Sequence, residues 1–264
     1  MSRTRLAACA IAAVAAGLAA GAHKARSGGD TPPPAAAVSA ALPAPVRPSF
    51  TPGHPLSLAR ARFLTRWAPV RRAVVARRRP DTQAAPVARV PTMTPDDTVN
   101  IVLVRESRAD RAGRVWVEVS MAMLPNGQTG WVQRSALGGY GTVDTHLVVS
   151  LTRLTATLFK RGRSIFHARV GVGSPATPTP RGDFFVRDQL TRFADRFYGP
   201  VAFGTNARAP GLTDWPGGGY IGIHGTDRPA LIPGRVSHGC IRMRNADILV
   251  LARRMPVGTP ITIR

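Results

Sequence analysis

Near its carboxyl end the chain reads Val236-Ser237-His238-Gly239-Cys240-Ile241-Arg242-Met243, and a shorter segment, Ile223-His224-Gly225-Thr226, precedes it. A thiol is mostly protonated at neutral pH, and it becomes a good nucleophile only beside a base or in a positive field. The two histidines offer a base, and the neighbouring arginines offer the field. The glycines let backbone N–H groups approach a substrate closely. Such a set of groups is suited to acyl transfer.

Three alternative roles fit parts of this cluster. A zinc site built from His224, His238 and Cys240 would have only three ligands in view, and His-x-Cys is not a usual zinc spacing. A buried structural cysteine is common in general, but it would leave the basic, glycine-rich neighbourhood unexplained. A papain-like protease has its cysteine before its histidine in the chain, which is the reverse of the order here. The residues favour acyl transfer over all three.

The two segments together resemble the signature of the L,D-transpeptidase (YkuD-like) catalytic domain. Two further matches lie upstream. Residues 173–184 resemble the Thr-Pro-x-Gly-x-Phe stretch of that family, and Tyr198-Gly199-Pro200 resembles its Tyr-Gly-Pro element. The resemblance covers residues 145–264. It implies a mainly β fold, an L,D-transpeptidase-type β-sandwich with one short helix near the carboxyl end.

The resemblance also implies a role for each residue of the motif. Cys240 would attack the carbonyl of the third residue of a peptidoglycan stem peptide and release the terminal D-alanine. His224 would be the general base, with its imidazole oriented by the backbone carbonyl of Gly225, and His238 is a further catalytic candidate. The oxyanion hole would use mainly the backbone N–H groups of residues 238–240. The substrate-binding or oxyanion positions would be Gly225, Ser237, Gly239, Arg242 and Tyr198.

Arg242 departs from one branch of the family, whose members carry asparagine two residues after the cysteine. A guanidinium at this position could bind a substrate carboxylate through two parallel hydrogen bonds. The departure affects the expected hydrogen-bond donor and leaves the expected nucleophile, Cys240, unchanged.

The resemblance allows more than one outcome for the thioester on Cys240. An amine from a neighbouring stem would give a 3–3 cross-link, which makes the protein a cysteine acyltransferase. Water in place of the amine would make it an L,D-carboxypeptidase. A non-catalytic cell-wall-binding protein is the alternative from another class, and the intact Cys240, His224 and His238 argue against it. Peptidoglycan stem peptides are the expected partner, and no metal or organic cofactor is implied.

Residues 145–264 show the pattern of a β-rich domain with one helix. We expect strands at residues 146–150, 156–159, 165–172, 182–186, 220–223 and 261–263. A helix is expected to start near Asn245, which suits an N-cap, and to end before Pro256. No strand is followed by G-x-G-x-x-G, so a nucleotide-binding fold is not expected.

Residues 89–140 predict a small β module. Val99 to Val104 is a strand candidate, and Trp116 to Val119 alternates with period 2. Asn126-Gly127 supplies a tight turn before a strand that starts at Trp131. This order resembles a bacterial SH3-like module; the alternative is an extra hairpin packed on the next domain.

Residues 1–22 predict a signal peptide, with a basic start, a small-apolar stretch and an Ala20-Gly21-Ala22 cleavage site. A retained membrane anchor is the alternative, although the stretch is short and rich in alanine. Cleavage would remove Cys9 and leave Cys240 as a free thiol in an oxidising compartment. We therefore expect an exported protein of the cell envelope, in the cell wall or periplasm.

Residues 23–88 predict a Pro/Arg-rich linker. Within it, residues 56–79 carry apolar side chains spaced as in a basic amphipathic helix, and a partly disordered basic linker is the alternative. The formal net charge of the chain is +22. That charge suits an anionic wall polymer or a membrane surface. Nucleic acid is not expected as a partner, because the chain carries a predicted signal peptide.

Overall fold

The computed structural model describes residues 56–57, 63–191, 196–210 and 219–264. Within these residues the chain forms two sheets and one short α-helix. The predicted signal peptide and the first part of the predicted linker lie outside the described residues. The prediction of a mainly β fold with one short helix is confirmed for the described part of the chain.

The first sheet is antiparallel and has the strand order β4-β3-β7-β6-β5-β2-β8, with β1 paired to β5. Val104, Val117, Val119 and Val132 lie in its core. Its strands are β1 (Leu56–Ser57), β2 (Thr65–Pro69), β3 (Val74–Arg77), β4 (Pro86–Val90), β5 (Ile101–Ala109), β6 (Val115–Ser120), β7 (Thr129–Gln133) and β8 (Gly141–Val143).

This sheet extends into the segment that the sequence predicts as a linker. Strands β2, β3 and β4 lie before residue 91. Both predictions for residues 56–79, the partly disordered linker and the basic amphipathic helix, are therefore wrong for residues 63–79. The apolar spacing there fits a helix, but Val74 and Val75 are β-branched and favour extended backbone. Strand β2 also finds partners far along the chain, since Trp67 pairs with Leu103. Tertiary pairing therefore decided this segment. The similarity to SH3-like modules stays a prediction.

The second sheet follows in the order β11-β10-β9-β18-β13-β14-β15-β17-β12-β16. It carries a core of fully buried side chains that includes Leu147, Leu158, Phe203 and Ile223. Its strands are β9 (Thr145–Ser150), β10 (Thr155–Lys160), β11 (Arg163–Arg169), β12 (Gly171–Gly173), β13 (Gly182–Leu190), β14 (Ala202–Arg208), β15 (Tyr220–His224), β16 (Gly234–Ser237), β17 (Ile241–Arg242) and β18 (Pro260–Ile263).

The predicted strands of this region are present, with the span 165–172 divided between β11 and β12. Three strands were not predicted: β14, and the short strands β16 and β17 on either side of Cys240. Strand β14 is hidden in the sequence because Gly204 and Asn206 interrupt its apolar pattern. It lies between β13 and β15, so it supplies a central partner for the strand that carries His224.

The helix α1 (Asn245–Ala252) is present, but Asn245 does not cap it. The N-cap residue is Arg244, and the Asn245 side-chain oxygen accepts a hydrogen bond from the backbone N–H of Thr226 at 2.8 Å. The sequence pattern for a cap was therefore correct in residue type, but the side chain serves a neighbouring loop. No helix in the described residues combines the length and the apolar character needed to cross a membrane.

The two sheets meet at a polar seam. The side-chain amide of Asn126 donates to the carbonyl oxygen of Arg208 at 2.8 Å, and its oxygen accepts from the Arg208 N–H at 3.0 Å. The Asn206 amide donates to the Met121 carbonyl at 3.2 Å, and the Tyr220 hydroxyl donates to the Ala122 carbonyl at 3.3 Å. The loop after β6 is thus bonded to β14 and β15 of the second sheet.

We expect Asn126→Ala to lower the free energy of unfolding by about 1–3 kcal/mol, because it removes two hydrogen bonds and leaves the Arg208 backbone groups without these partners. Thermal and urea unfolding would measure the loss. Asn126→Asp is a second variant, which keeps the acceptor for the Arg208 N–H but sets a carboxylate oxygen against the Arg208 carbonyl oxygen, so it should also be less stable than wild type. Equal stability of all three proteins would show that the seam contributes nothing.

Candidate active site

Strand β15 presents two groups of the site on one face. Ile221 and Ile223 point into the core, so Gly222 and His224 face the other side of the sheet. Strand β15 pairs in parallel with β17, which sets His224 opposite Arg242. Cys240 directly precedes β17, so this pairing brings the two motif segments together.

The geometry fixes the tautomer of His224. Its Nδ1 lies 2.7 Å from the carbonyl oxygen of Gly225, and a carbonyl oxygen can only accept. Nδ1 therefore carries the proton, and Nε2 carries the lone pair. The His224 side chain is buried, and Nε2 has no hydrogen-bond partner in the described part of the chain. This is the state that a general base requires, and it agrees with the role that the resemblance implies for Gly225.

Cys240 and His224 meet over Gly222. The Gly222 N–H donates to the Cys240 sulfur at 3.3 Å. A methyl group placed on Gly222 would lie 3.8 Å from that sulfur and 3.9 Å from Cδ2 of His224, the ring carbon next to Nε2. The thiol and the Nε2 edge of the imidazole therefore both lie next to the position that a side chain at residue 222 would occupy. Because residue 222 is glycine, that position is empty.

Both groups are held in their neutral forms. Burial lowers the pKa of His224 to about 4, and Arg242 acts in the same direction, while the bond to Gly225 opposes them. Burial raises the pKa of the Cys240 thiol, and the Gly222 N–H and Arg242 oppose this rise. The resting pair is a thiol beside a neutral imidazole. A thiolate nucleophile at this position would require transfer of the thiol proton to a base such as Nε2.

Arg242 lies beside the pair and is itself buried. Its guanidinium stacks on the ring of Phe197 at 4.4 Å, and its Nε has no hydrogen-bond partner among the described residues. Burial lowers its pKa, and Cys240 and Asp227 oppose this. A guanidinium remains charged in proteins. It can therefore stabilise negative charge on sulfur and still bind a carboxylate.

Two aromatic rings cover His224. The ring centroids of Tyr198 and Phe197 lie 5.0 and 5.7 Å from that of His224. Tyr198 was predicted for the site, and Phe197 was not, although it is its direct neighbour in sequence. A close approach of Gly199 and Gly225 places these rings, since a methyl group on Gly199 would lie 2.7 Å from the Gly225 Cα. The Tyr-Gly-Pro and His-Gly elements can therefore pack this closely only because each has glycine at the point of contact.

Ser237 shapes the loop that bears the thiol. Its hydroxyl donates to the Cys240 carbonyl at 2.6 Å and accepts from the Gly239 N–H at 3.1 Å. Gly239 has φ +124°, and an added side chain there would also strike Ile221. The Gly239 N–H is thus bonded to Ser237 in this structure, and the oxyanion role of residues 238–240 stays a prediction.

His238 is exposed, in contrast to the buried His224. The buried imidazole of the pair is therefore that of His224, and the catalytic role of His238 stays a prediction. Among the described residues, no three His, Cys, Asp or Glu side chains come together as a metal site would require.

Two threonines hold the same loop from behind. The Thr179 hydroxyl donates to the Gly239 carbonyl at 2.7 Å and accepts from the Gly173 N–H at 2.8 Å. The Thr177 hydroxyl donates to the Ser237 carbonyl at 3.3 Å. The sequence marked this stretch through its resemblance, but it did not show that the stretch supports the loop of Cys240.

The fold and the site define a mainly β protein with a buried Cys–His pair. A model of the L,D-transpeptidase catalytic domain family, YkuD, matches residues 144–263. YkuD of Bacillus licheniformis, whose name places it among L,D-transpeptidases, is 33% identical over 143 residues, covering 53% of this chain and 79% of that protein. YkuD of Bacillus subtilis is 35% identical over 130 residues, covering 46% and 67%. The chain belongs to the L,D-transpeptidase family.

Among solved structures, the NMR structure of the catalytic domain from the E. faecium L,D-transpeptidase is similar to this chain. The two are 26% identical, the match covers 46% of this chain and 97% of that one, and the TM-score is 0.36.

The pKa of His224 makes stability depend on pH. Between its ordinary pKa of 6.5 and about 4, the unfolded chain binds a proton at residue 224 and the folded protein does not. Stability therefore rises with pH in this window and is lost as the pH falls through it. The two values correspond to about 3 kcal/mol.

Urea unfolding at pH 7 and pH 4 would measure this effect. We expect wild type to lose about 3 kcal/mol more than His224→Gln over this range, because the variant has no imidazole to protonate. Identical losses in the two proteins would mean that residue 224 is not buried in the neutral form.

We expect Thr179→Val to lower the free energy of unfolding by about 1–3 kcal/mol, since it keeps the volume and leaves two buried backbone groups without partners. The loosened loop should also expose Cys240, lower its raised pKa and speed its alkylation by iodoacetamide near pH 8. Thr152→Val, at an exposed position, is the matched control and should change neither property. Unchanged stability and unchanged alkylation in Thr179→Val would exclude a supporting role for this hydroxyl.

Proposed function

We propose that this protein is a peptidoglycan L,D-transpeptidase that uses Cys240 as its nucleophile. The observation that carries the proposal is the pairing of the Cys240 sulfur with the His224 imidazole above Gly222, with Nδ1 fixed by the Gly225 carbonyl. The membership in the family supports the substrate class, peptidoglycan stem peptides.

The first half of the reaction is an acyl transfer to the enzyme. Nε2 of His224 accepts the thiol proton as the Cys240 sulfur attacks the carbonyl carbon of the third stem residue. The Cys240 N–H stabilises the negative oxygen of the tetrahedral intermediate in this proposal. When the intermediate collapses, the peptide bond breaks, and the imidazolium gives its proton to the amine of the departing D-alanine. A thioester on Cys240 remains.

The second half reverses these roles. The side-chain amine of a neighbouring stem attacks the thioester, Nε2 accepts a proton from that amine, and the sulfur leaves as the thiol. The product is a 3–3 cross-link. The two aromatic rings over His224 and the burial of the pair keep bulk water from the base, which favours an amine over water as the acceptor.

Arg242 is the group best suited to hold the donor peptide. Its buried guanidinium lies opposite His224 and retains free donor capacity. A stem peptide carries free carboxylates near the bond to be cleaved, and a guanidinium binds a carboxylate through two parallel bonds.

We further propose that the protein acts in the cell envelope, because its predicted signal peptide and its proposed substrate both lead there. The excess of arginine over acidic residues supports contact with an anionic wall polymer or membrane surface. The similarity of the first sheet to SH3-like modules belongs to the same proposal.

Intact mass spectrometry would test the proposed chemistry. The full chain is incubated with a diaminopimelate-containing tetrapeptide muropeptide, and protein and products are weighed. We expect a covalent adduct on Cys240, release of D-alanine and a cross-linked dimer, because the thiol must form the thioester before the amine attacks.

Cys240→Ala is the control for this experiment, and it should fold with no adduct and no D-alanine. Release of a tripeptide without dimer would point to the carboxypeptidase instead. A folded wild-type protein that gives no adduct and no D-alanine would remove the enzymatic proposal and favour a wall-binding protein.

A further inference from the structure

A cavity of about 360 Å³ lies at the seam between the two sheets, away from the Cys–His pair. Exposed residues of the first sheet, Arg89 and Met93, stand at its rim. Buried residues from both sheets, Met121 and Arg187, form its inner wall together with Tyr220. The volume is sufficient for a molecule of about dipeptide size.

Arg187 is the unusual group in this wall. The residue is only 4% exposed. Its guanidinium stacks on the Tyr220 ring at 4.4 Å, and its Nε has no hydrogen-bond partner in the described part of the chain. An arginine has five N–H donors, and Nε is the donor of Arg187 that is buried without an acceptor among the described residues. The fold therefore keeps a guanidinium with an unused donor beside an open cavity.

The neighbouring carboxylate, Asp188, does not satisfy these donors. Its Oδ2 is 3.8 Å from Nη2 of Arg187, which is beyond hydrogen-bond distance. Its Oδ1 accepts from the Gly204 N–H at 2.9 Å, and its Oδ2 accepts from the Thr98 hydroxyl at 3.1 Å. Asp188 thus offsets the charge of Arg187 while its oxygens are used elsewhere.

The lining of the cavity has one sign of charge. Arg89 and Arg187 contribute to it, and no Asp or Glu is found among the described residues that line it. Asp96 lies nearby but outside the lining, and its pKa is raised by burial and by Asp188, with Arg187 opposing. The remaining wall is largely apolar, with hydroxyl and amide groups from Thr94, Asn100 and Ser120.

We propose that this cavity binds a small carboxylate, the carboxyl end of a short peptide, with Arg187 as its hydrogen-bonding fork. A carboxylate supplies two acceptors in the geometry that a guanidinium requires. The apolar wall suits a small side chain next to that carboxylate. That the carboxylate belongs to a peptidoglycan stem peptide rests on the proposed function. That the ligand is a carboxylate rests on the residues of the cavity alone.

The cavity and the Cys–His pair share strand β15. Tyr220 is two residues before Gly222 on the same strand and on the same face, about 7 Å along β15. A peptide end held by Arg187 would therefore keep the rest of its stem within reach of Cys240. The site is outside the Cys–His pair, so it can be tested without turnover.

Backbone amide NMR on the full-length Cys240→Ala protein tests the proposal. The probe is N-acetyl-D-alanine, and the matched control is N-acetyl-D-alaninamide, which has nearly the same size and lacks the charge. We expect saturable shifts with the acid at the amides of Thr94, Met121 and Ala122, and none there with the amide, because only the acid presents two acceptors to the guanidinium.

Two variants in the same background locate the binding group. Arg187→Gln should raise the Kd obtained from the shifts at the seam at least tenfold, since it removes the positive charge and the paired N–H donors of the guanidinium. Arg242→Gln should leave the seam shifts as they are. Shifts confined to the surroundings of His224 and Arg242, equal shifts with acid and amide, or no shift at all would each overturn the proposal. The acid and amide comparison needs no change at Arg187, so it decides the matter even where Arg187→Gln does not fold.

The outcome is separable from that of the proposed function. Shifts at the seam in a protein whose wild-type form gives no adduct would leave the carboxylate site standing and remove only the transpeptidase proposal. An adduct on Cys240 together with an unresponsive seam would do the reverse.

Discussion

The parallel pairing of β15 with β17 is the constraint on which the site depends. It sets Ile223 beside Ile241 in the core and His224 beside Arg242 on the other face. Because parallel strands need a crossover connection, the two motif segments must be separated in sequence by enough chain to return to the same end of the sheet. The residues between His224 and Cys240 form that crossover connection.

Close backbone contacts make the pair chemically useful. Gly222 leaves room for the sulfur and the imidazole to meet, and its N–H bonds to the sulfur. Gly199 and Gly225 approach each other so that the aromatic rings cover His224. Burial then keeps the thiol and the imidazole in their neutral forms. Arg242 favours the thiolate and disfavours the imidazolium.

The seam extends the same reasoning beyond the pair. The loop after β6 is bonded to the second sheet in two ways. The Asn126 side chain donates to the Arg208 carbonyl of β14. The side chains of Asn206 on β14 and Tyr220 on β15 donate to backbone carbonyls of that loop. Strand β15 therefore carries His224 at one end and contacts the first sheet at the other. Nε of Arg187 is buried in this seam without an acceptor among the described residues, which costs the protein stability. A binding role for the guanidinium accounts for this better than a purely structural one.

The sequence by itself predicted the candidate nucleophile and base, and it determined the β-rich character of residues 145–264. These follow from residue types at short spacing, such as Cys240 among glycines and arginines, and from period-2 patterns of apolar residues. It did not determine β2 to β4, whose apolar spacing also fits a helix, or β14, whose pattern is broken by Gly204. Nor could it show that the Asn245 side chain bonds to the Thr226 N–H, that the Ser237 hydroxyl bonds to the Gly239 N–H, or that Arg187 lines a cavity. Those outcomes depend on contacts between residues far apart in the chain, and only the tertiary structure decides which polar groups find a partner and which remain without one.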